Sequence, residues 1–395
     1  MNAKPLPEIR EVCFVGAGTM GCYNALAAAV CGYPVVLFDA SEDSLAAIPQ
    51  RQRELAGMLV GAGWCSEEDI RDALGRTRVV TDLAQACATA DLVNESVFED
   101  LHLKRQVHGE LDTLCSPDTI LTSNSSALLV SDIESAVKHR ERFAALHSHL
   151  GSPLVDIVPG SRTSPGVIER LNAYVLSLRG VPLVLKRENP GYVLNAMLGN
   201  VLGTALALVV EEGHSVDAAD AAWLSDQQGV MGPFGMMDLF GLGVIRDSWQ
   251  HRNRNDALQA FRPKVLALMA SKFEQGEEGM KAGAGFYRYP NPAYASADFI
   301  QQASDECLRA LQVALLVPAI QLVTRDVVSR EQVDMAWRVG MNLPQGPFQQ
   351  LERLEQTHLQ QLLHESVERG LLLAEHGRET AQWLASECAS QGGAS

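Results

Sequence analysis

VCFVGAGTMG, residues 12–21, is a run of four apolar residues that leads directly into three glycines spaced G-x-G-x-x-G. The apolar run fits a short strand buried on both faces. CYNALAAAV, which follows Gly21, is small and apolar and fits a helix lying close on that strand. The glycines differ in what they allow. Gly16 permits the tight turn, Gly18 lets backbone approach a pyrophosphate, and Gly21 lets helix and strand pack. With Thr19 and Met20, these residues form a helix N-terminus, whose N–H groups and partial positive charge suit phosphate. A glycine pattern alone is weak, but the next strand, Val35 to Phe38, ends on an acid, Asp39. A carboxylate there accepts from the adenosine ribose hydroxyls and repels a 2′-phosphate, which points to NAD rather than NADP.

Working outward, short apolar strands alternate with helical stretches, the pattern of a doubly wound parallel sheet. Leu92 to Asn94, Thr119 to Ser123, Phe143 to His147 and Pro153 to Pro159 read as later strands, the last two joined by the turn SHLGS. After Pro190–Gly191 the character changes to long helices, beginning with Val193 to Glu212. The second half repeats itself without gaps: Asp220, Trp223, Gly232, Pro233 and Phe234 recur as Asp334, Trp337, Gly346, Pro347 and Phe348. Such a match marks a duplicated helical unit. The expected architecture is an α/β Rossmann-type dinucleotide-binding domain over residues 1–188, followed by two tandem all-α domains at 189–290 and 291–395. KAGAGFYRYPNPAY reads as a linker between the copies, and the tail SQGGAS as disordered.

Composition narrows the function. The chain has 395 residues, 47% hydrophobic, with a net charge of -16. A surface that acidic disfavours nucleic acid and anionic lipid. The first ten residues carry no secretory h-region, and the apolar stretch around Leu194 to Val210 is broken by Asn195, Asn200 and glycines, so no membrane span is expected. Eight cysteines include no C-x-x-C pair, so no zinc or other metal site is indicated and a reduced, cytoplasmic setting is expected.

Hydride transfer to NAD leaves an alcohol proton to be taken up, a role suited to histidine. His147 closes the strand FAALH, and Asp156 lies on the next strand in PLVDIVP. Two antiparallel neighbours can bring them together, so that the carboxylate fixes the ring tautomer; a solvent-capped hairpin histidine is the bland alternative. Ser126 follows a strand end where such folds bind ligands. Asn195 interrupts an apolar helix and needs a partner, either substrate or structural.

VGAGTMG with Asp39, FEDLHLKRQ, TSNSSALL, the His147 strand, NPGYVLNAM, MGPFGMMDLFGL and KAGAGFYRY together resemble the L-3-hydroxyacyl-CoA dehydrogenase family across nearly the whole chain. The resemblance implies NAD-dependent, reversible oxidation of a 3-hydroxyacyl-CoA to the 3-oxoacyl-CoA, a step of fatty acid metabolism. It implies a histidine base at His147 with its carboxylate at Asp156, and a substrate oxygen held by Ser126 and Asn195. It assigns Glu99 and Lys104 to cofactor contacts, and Arg51 and Arg53 to the CoA phosphates. The second helical copy carries Arg309 where the first has Asn195 and is expected to be structural. Members with one helical unit resemble dimers, so a second copy leaves homodimer and monomer both open.

Three features depart from the family. The usual H-x-x-N-P segment is replaced by HSHLGSP, about three residues short. Asp156 stands for a glutamate; without the shortening, Pro159 would align there instead. The hairpin after Asp39 carries only two basic residues. A dehydrogenase of a free small 3-hydroxy acid, resembling gulonate and carnitine dehydrogenases, and an NAD-binding protein with little catalysis are the alternatives.

Overall fold

The computed structural model describes residues 8–250 and 256–392. The SQGGAS tail, expected to be irregular, is helical through Gly392, and its last three residues lie outside the described range, as do the first seven of the N-terminal stretch read for a signal. The chain forms two compact units, Met1–Tyr192 with Asp326–Val328, and Val193–Arg325 with Ser329–Ser395.

The first unit is built on an eight-stranded sheet in the order β3-β2-β1-β4-β5-β6-β7-β8. The strands are β1 (Val12–Val15), β2 (Val35–Phe38), β3 (Thr77–Val80), β4 (Leu92–Glu95), β5 (Ile120–Ser123), β6 (Phe143–Ser148), β7 (Leu154–Pro159) and β8 (Val181–Val184). All neighbours are parallel except β6 and β7. The order reverses at β1 and β4, where α/β sheets open a ligand crevice at the carboxyl ends of the strands. β1, β2, β4 and β5 are buried at every position, as strands covered by helices on both faces must be. Helix α1 (Thr19–Val30) lies on β1 and β2, and α2 (Ile48–Gly61) and α3 (Glu67–Arg76) pack against α1. Ser66 and Asp69 close a reciprocal capping box at the start of α3. Helix α4 (Leu101–Leu114) connects β4 to β5, and α5 (Pro165–Ser177) packs on β7 and β8.

The second unit is all helical. Both copies fall within it, where a separate domain for each was expected. Its centre is α6 (Leu194–Val210) against α9 (Asp305–Thr324). Among the described residues α9 alone is long and apolar enough to cross a membrane; no span was expected from the sequence, and this helix is mostly buried within the protein. The repeated residues have a common physical reason. In the first copy, Asp220 on α7 (Val216–Gln227) accepts from the N–H groups of Phe234 and Gly235 at 2.8 and 3.1 Å, capping α8 (Pro233–Phe240). In the second, Asp334 on α10 (Arg330–Met341) accepts from Phe348 N at 2.7 Å. A Cβ on Gly232 would stand 2.6 Å from Asp220 Oδ1, and one on Gly346 would collide with Asp334 in the same way, so each aspartate requires its glycine. Trp223 and Trp337 meet edge to face with centroids 6.1 Å apart.

KAGAGFYRYPNPAY is a clasp rather than a linker. Asp238 accepts from Phe286 N, Tyr287 N and the Tyr289 hydroxyl at 2.8, 2.9 and 3.0 Å, and the Tyr287 hydroxyl reaches Asp220 at 3.0 Å. Arg309 pairs with Glu365 at 3.5 Å, a structural contact in the second copy.

Because Trp337 is fully buried, W337A is expected to cost about 3–5 kcal/mol of stability, read as a lower urea midpoint. A cost below about 1 kcal/mol would show that the paired tryptophans are not core.

Candidate active site

At the glycine turn, Gly16 has φ +105°, and a Cβ there would stand 2.6 Å from the Ser96 carbonyl oxygen. A Cβ on Gly21 would overlap the Gly16 carbonyl, while the space around Gly18 is open. Gly18 caps α1 without a side-chain bond, so the helix N–H groups stay available for phosphate. Exposed Thr19 and half-buried Met20 form the first turn. Asp39 braces the turn, accepting from Ala17 N at 2.7 Å and Ser41 N at 2.8 Å. These features fit a dinucleotide pyrophosphate and its adenosine ribose.

Arg51 was expected to meet substrate phosphates. Its guanidinium instead donates to the carbonyls of Ala17 at 2.9 Å and Ser44 at 3.0 Å, beside the cofactor turn. Arg53 is exposed on the same helix.

At the carboxyl end of β4, Glu95 is fully buried and binds four groups. Oε1 takes Lys104 Nζ at 2.7 Å and Val97 N at 2.7 Å; Oε2 takes the Ser123 hydroxyl at 2.7 Å and His108 Nε2 at 3.1 Å. Burial pushes this carboxyl up, but His108 and Lys104 outweigh it and hold it down at about 2. Lys104, only 1% exposed, also meets Glu99 Oε2 at 3.3 Å. Glu99 in turn accepts from the Ser125 hydroxyl and from the backbone N–H of Ser126, Ala127 and Leu128. Lys104 is therefore held by two carboxylates, while Ser126 is exposed on the loop that Glu99 organises.

His147 and Asp156 are direct partners in the antiparallel β6–β7 register, with Nδ1 2.9 Å from Oδ2. The register places Pro159 opposite Ala144, so the shortened turn is real and Asp156 is the carboxylate that faces the histidine. Burial lowers the His147 pKa, and nearby His149 lowers it further against the pull of Asp156. Asp156 is also lowered: burial raises it, but bonds from both histidines prevail. The pair therefore stands as neutral imidazole and carboxylate at neutral pH. Nδ1–H donates to Asp156, leaving the Nε2 lone pair as the basic atom.

Sequence reasoning missed two residues here. His149 Nε2 reaches the same Asp156 Oδ2 at 3.0 Å, its ring edge-on to His147 at 4.5 Å. Tyr192 packs on the His147 ring at 5.4 Å with φ +50°. Asn189 Nδ2 holds that strained turn by donating to the Tyr192 carbonyl at 2.8 Å. The i, i+2 spacing of the histidines was a readable signal, since such residues share a strand face; nothing in a tyrosine announces a positive φ. Asn195 lies half-buried in the first helix of the second unit.

A cavity of about 590 Å³ lies near this histidine but does not contain it. It is lined by Phe14, Asn24, Asn94, Leu146, Ser148 and Tyr174 among others. Leu146 and Ser148 alternate with His147 along β6, so the cavity opens on the opposite face of the sheet.

Residues 11–188 match the model of the 3-hydroxyacyl-CoA dehydrogenase NAD-binding domain. Residues 191–289 and 308–385 match the C-terminal domain of the same family. The chain belongs to the 3-hydroxyacyl-CoA dehydrogenase family. It is an NAD-binding oxidoreductase of the kind acting on CH–OH. Human mitochondrial hydroxyacyl-coenzyme A dehydrogenase is 30% identical over 292 residues, 71% of this chain and 91% of that protein. A diketoreductase, described as acting on dicarbonyl compounds, is 30% identical with a TM-score of 0.66, covering 72% of this chain and all of its own. The 3-hydroxybutyryl-CoA dehydrogenase of Escherichia coli shares the fold over 96% of this chain and all of its own, with a TM-score of 0.75 at 22% identity. The C-terminal domain of the family is matched in two separate stretches, in keeping with the internal repeat.

Since Arg51 braces the cofactor turn, R51A is expected to raise the KM for NAD by roughly tenfold or more, the value of a charge-assisted bond. The KM for the hydroxy substrate should move less. The reverse pattern in steady-state kinetics would return Arg51 to the substrate.

Proposed function

We propose that this protein oxidises the 3-hydroxyl of a 3-hydroxyacyl-CoA to the 3-oxo group, reversibly, with His147 as the general base. The observation that carries the reading is the buried 2.9 Å contact from His147 Nδ1 to Asp156. It fixes the tautomer that leaves Nε2 able to accept the hydroxyl proton. Asp156 then offsets the imidazolium charge, as carboxylate partners of catalytic histidines do. When NAD is bound at the glycine turn, it supplies the hydride acceptor. In the reverse direction protonated His147 returns its proton to the oxygen. Ser126 and Asn195 are assigned to that oxygen by their place in the family's motifs, and the thioester by the relatives that act on hydroxyacyl-CoA.

A second reading, a free 3-hydroxy acid or other small carbonyl compound, is favoured by one observation. With Arg51 committed to carbonyls of its own unit, α2 presents only Arg53 as an exposed cation to a CoA phosphate. The diketoreductase relative, described as acting on dicarbonyl compounds, supports keeping this reading open.

A panel of 3-hydroxyacyl-CoA thioesters and the matching free acids, followed by NADH formation, separates the two. Turnover of thioesters alone is expected; turnover of free acids alone would reject the CoA reading. H147A is expected to lower kcat by about 10²- to 10⁴-fold, and an unchanged kcat would remove His147 as the base.

The pH profile gives an independent check. Oxidation needs neutral His147, and its folded pKa lies below the ordinary 6.5. The acid half-point of activity is therefore expected below pH 6.5. A half-point above 6.5 would contradict the assignment.

A further inference from the structure

Asp156 has a feature that proton transfer leaves unused. Its Oδ2 serves two imidazoles, at 2.9 Å from His147 Nδ1 and 3.0 Å from His149 Nε2, while its Oδ1 is buried with no hydrogen-bond partner. The carboxylate is fully enclosed and His147 is 5% exposed. One oxygen of this buried carboxylate is thus left without compensation, and burial of an incompletely compensated charge is unfavourable. A cation relieves it.

We propose that His147, His149 and Asp156 form a binding site for a divalent cation of the Zn²⁺ type, and that its occupancy blocks proton abstraction. The three ligand atoms lie within 4.8 Å of one another. A tetrahedral ion with bonds of about 2.0–2.1 Å needs its ligand atoms roughly 3.3 Å apart. The two contacts to Asp156 open to that distance by a few tenths of an ångström, while the two imidazole nitrogens, within 4.8 Å of one another, close toward it as the His149 side chain moves in. Two imidazoles and one carboxylate are a donor set that zinc takes with a fourth position left open. His149 is half-buried in the HSHLGSP turn and gives the ion a way in.

The chemistry of inhibition follows from the tautomer. Coordination takes the lone pair of His147 Nδ1, so the ring's single proton moves, through solvent, to Nε2. The His147 ring keeps one proton, relocated rather than released. Nε2, which would have accepted the substrate proton, is now protonated. Metal capture itself rests on geometry alone; its effect on turnover rests on the reading of His147 as the base.

The test uses the full chain, stripped with chelator and titrated with ZnCl₂ by calorimetry and by competition with a chromophoric chelator. One equivalent is expected to bind the wild type with micromolar or tighter affinity. H149A and D156N should each weaken that binding by at least about tenfold. Circular dichroism and melting of each variant confirm that it has folded. The free thiols elsewhere in the chain make these variants the decisive comparison. No binding to the wild type, or equal binding to both variants, overturns the site. In the NADH assay, Zn²⁺ is expected to abolish turnover and EDTA to restore it. Zn²⁺ bound at this site with turnover intact would overturn the blockade and the role of His147 together, while the site would stand.

Discussion

Glu95 is one carboxylate, sealed at the end of β4, with four donors on its two oxygens. The carboxyl ends of β4 and β5 are arranged around it. Its bond to Val97 N shapes the chain as it leaves β4, and its bond to Ser123 ties β4 to the end of β5. Lys104 returns from α4 to the same oxygen and extends to Glu99, which collects the N–H groups of residues 126–128. A charge buried this deeply is tolerable only because it is paired and fully bonded; removing any one partner would leave the others without compensation. The loop that carries Ser126 thus owes its shape to a residue that never reaches the surface.

Much of this was legible from the chain alone, for a physical reason. Strands buried on both faces must be apolar throughout, so β1 and β2 stand out with correct ends. The strands that escaped notice, β3 and β8, are the sheet's two edges. TRVV leaves Arg78 and Val79 exposed, and VPLV carries a proline that only an edge accepts. The His147–Asp156 pair was readable because hairpin register follows from the length of the turn. For Arg51 the sequence gives the charge but not its direction, which is toward the carbonyls of Ala17 and Ser44. Lys104, placed at the cofactor by its motif, is enclosed by carboxylates from a strand and a loop that sequence distance keeps apart.

The helical half teaches a complementary lesson. The repeat was visible because its most constrained elements, an aspartate and the glycine that must make room for it, were kept in both copies. What surrounds them differs. In the first copy a hydroxyl from Tyr287 joins the aspartate, and the clasp that delivers it has the same glycine, proline and aromatic content as a flexible connector. Composition cannot separate the two; the distinction lies in Asp238, whose carboxylate gathers the clasp from nearly fifty residues away.

Tyr192 ends the first unit in a left-handed backbone conformation with its ring on His147. The imidazole therefore has for a wall the very residue through which the polypeptide departs. Any slackening at Asn189, whose amide keeps that residue in its uncomfortable pose, would be transmitted to the ring as lost contact. A backbone preference at one peptide thus becomes a determinant of how firmly a side chain on a different strand is seated.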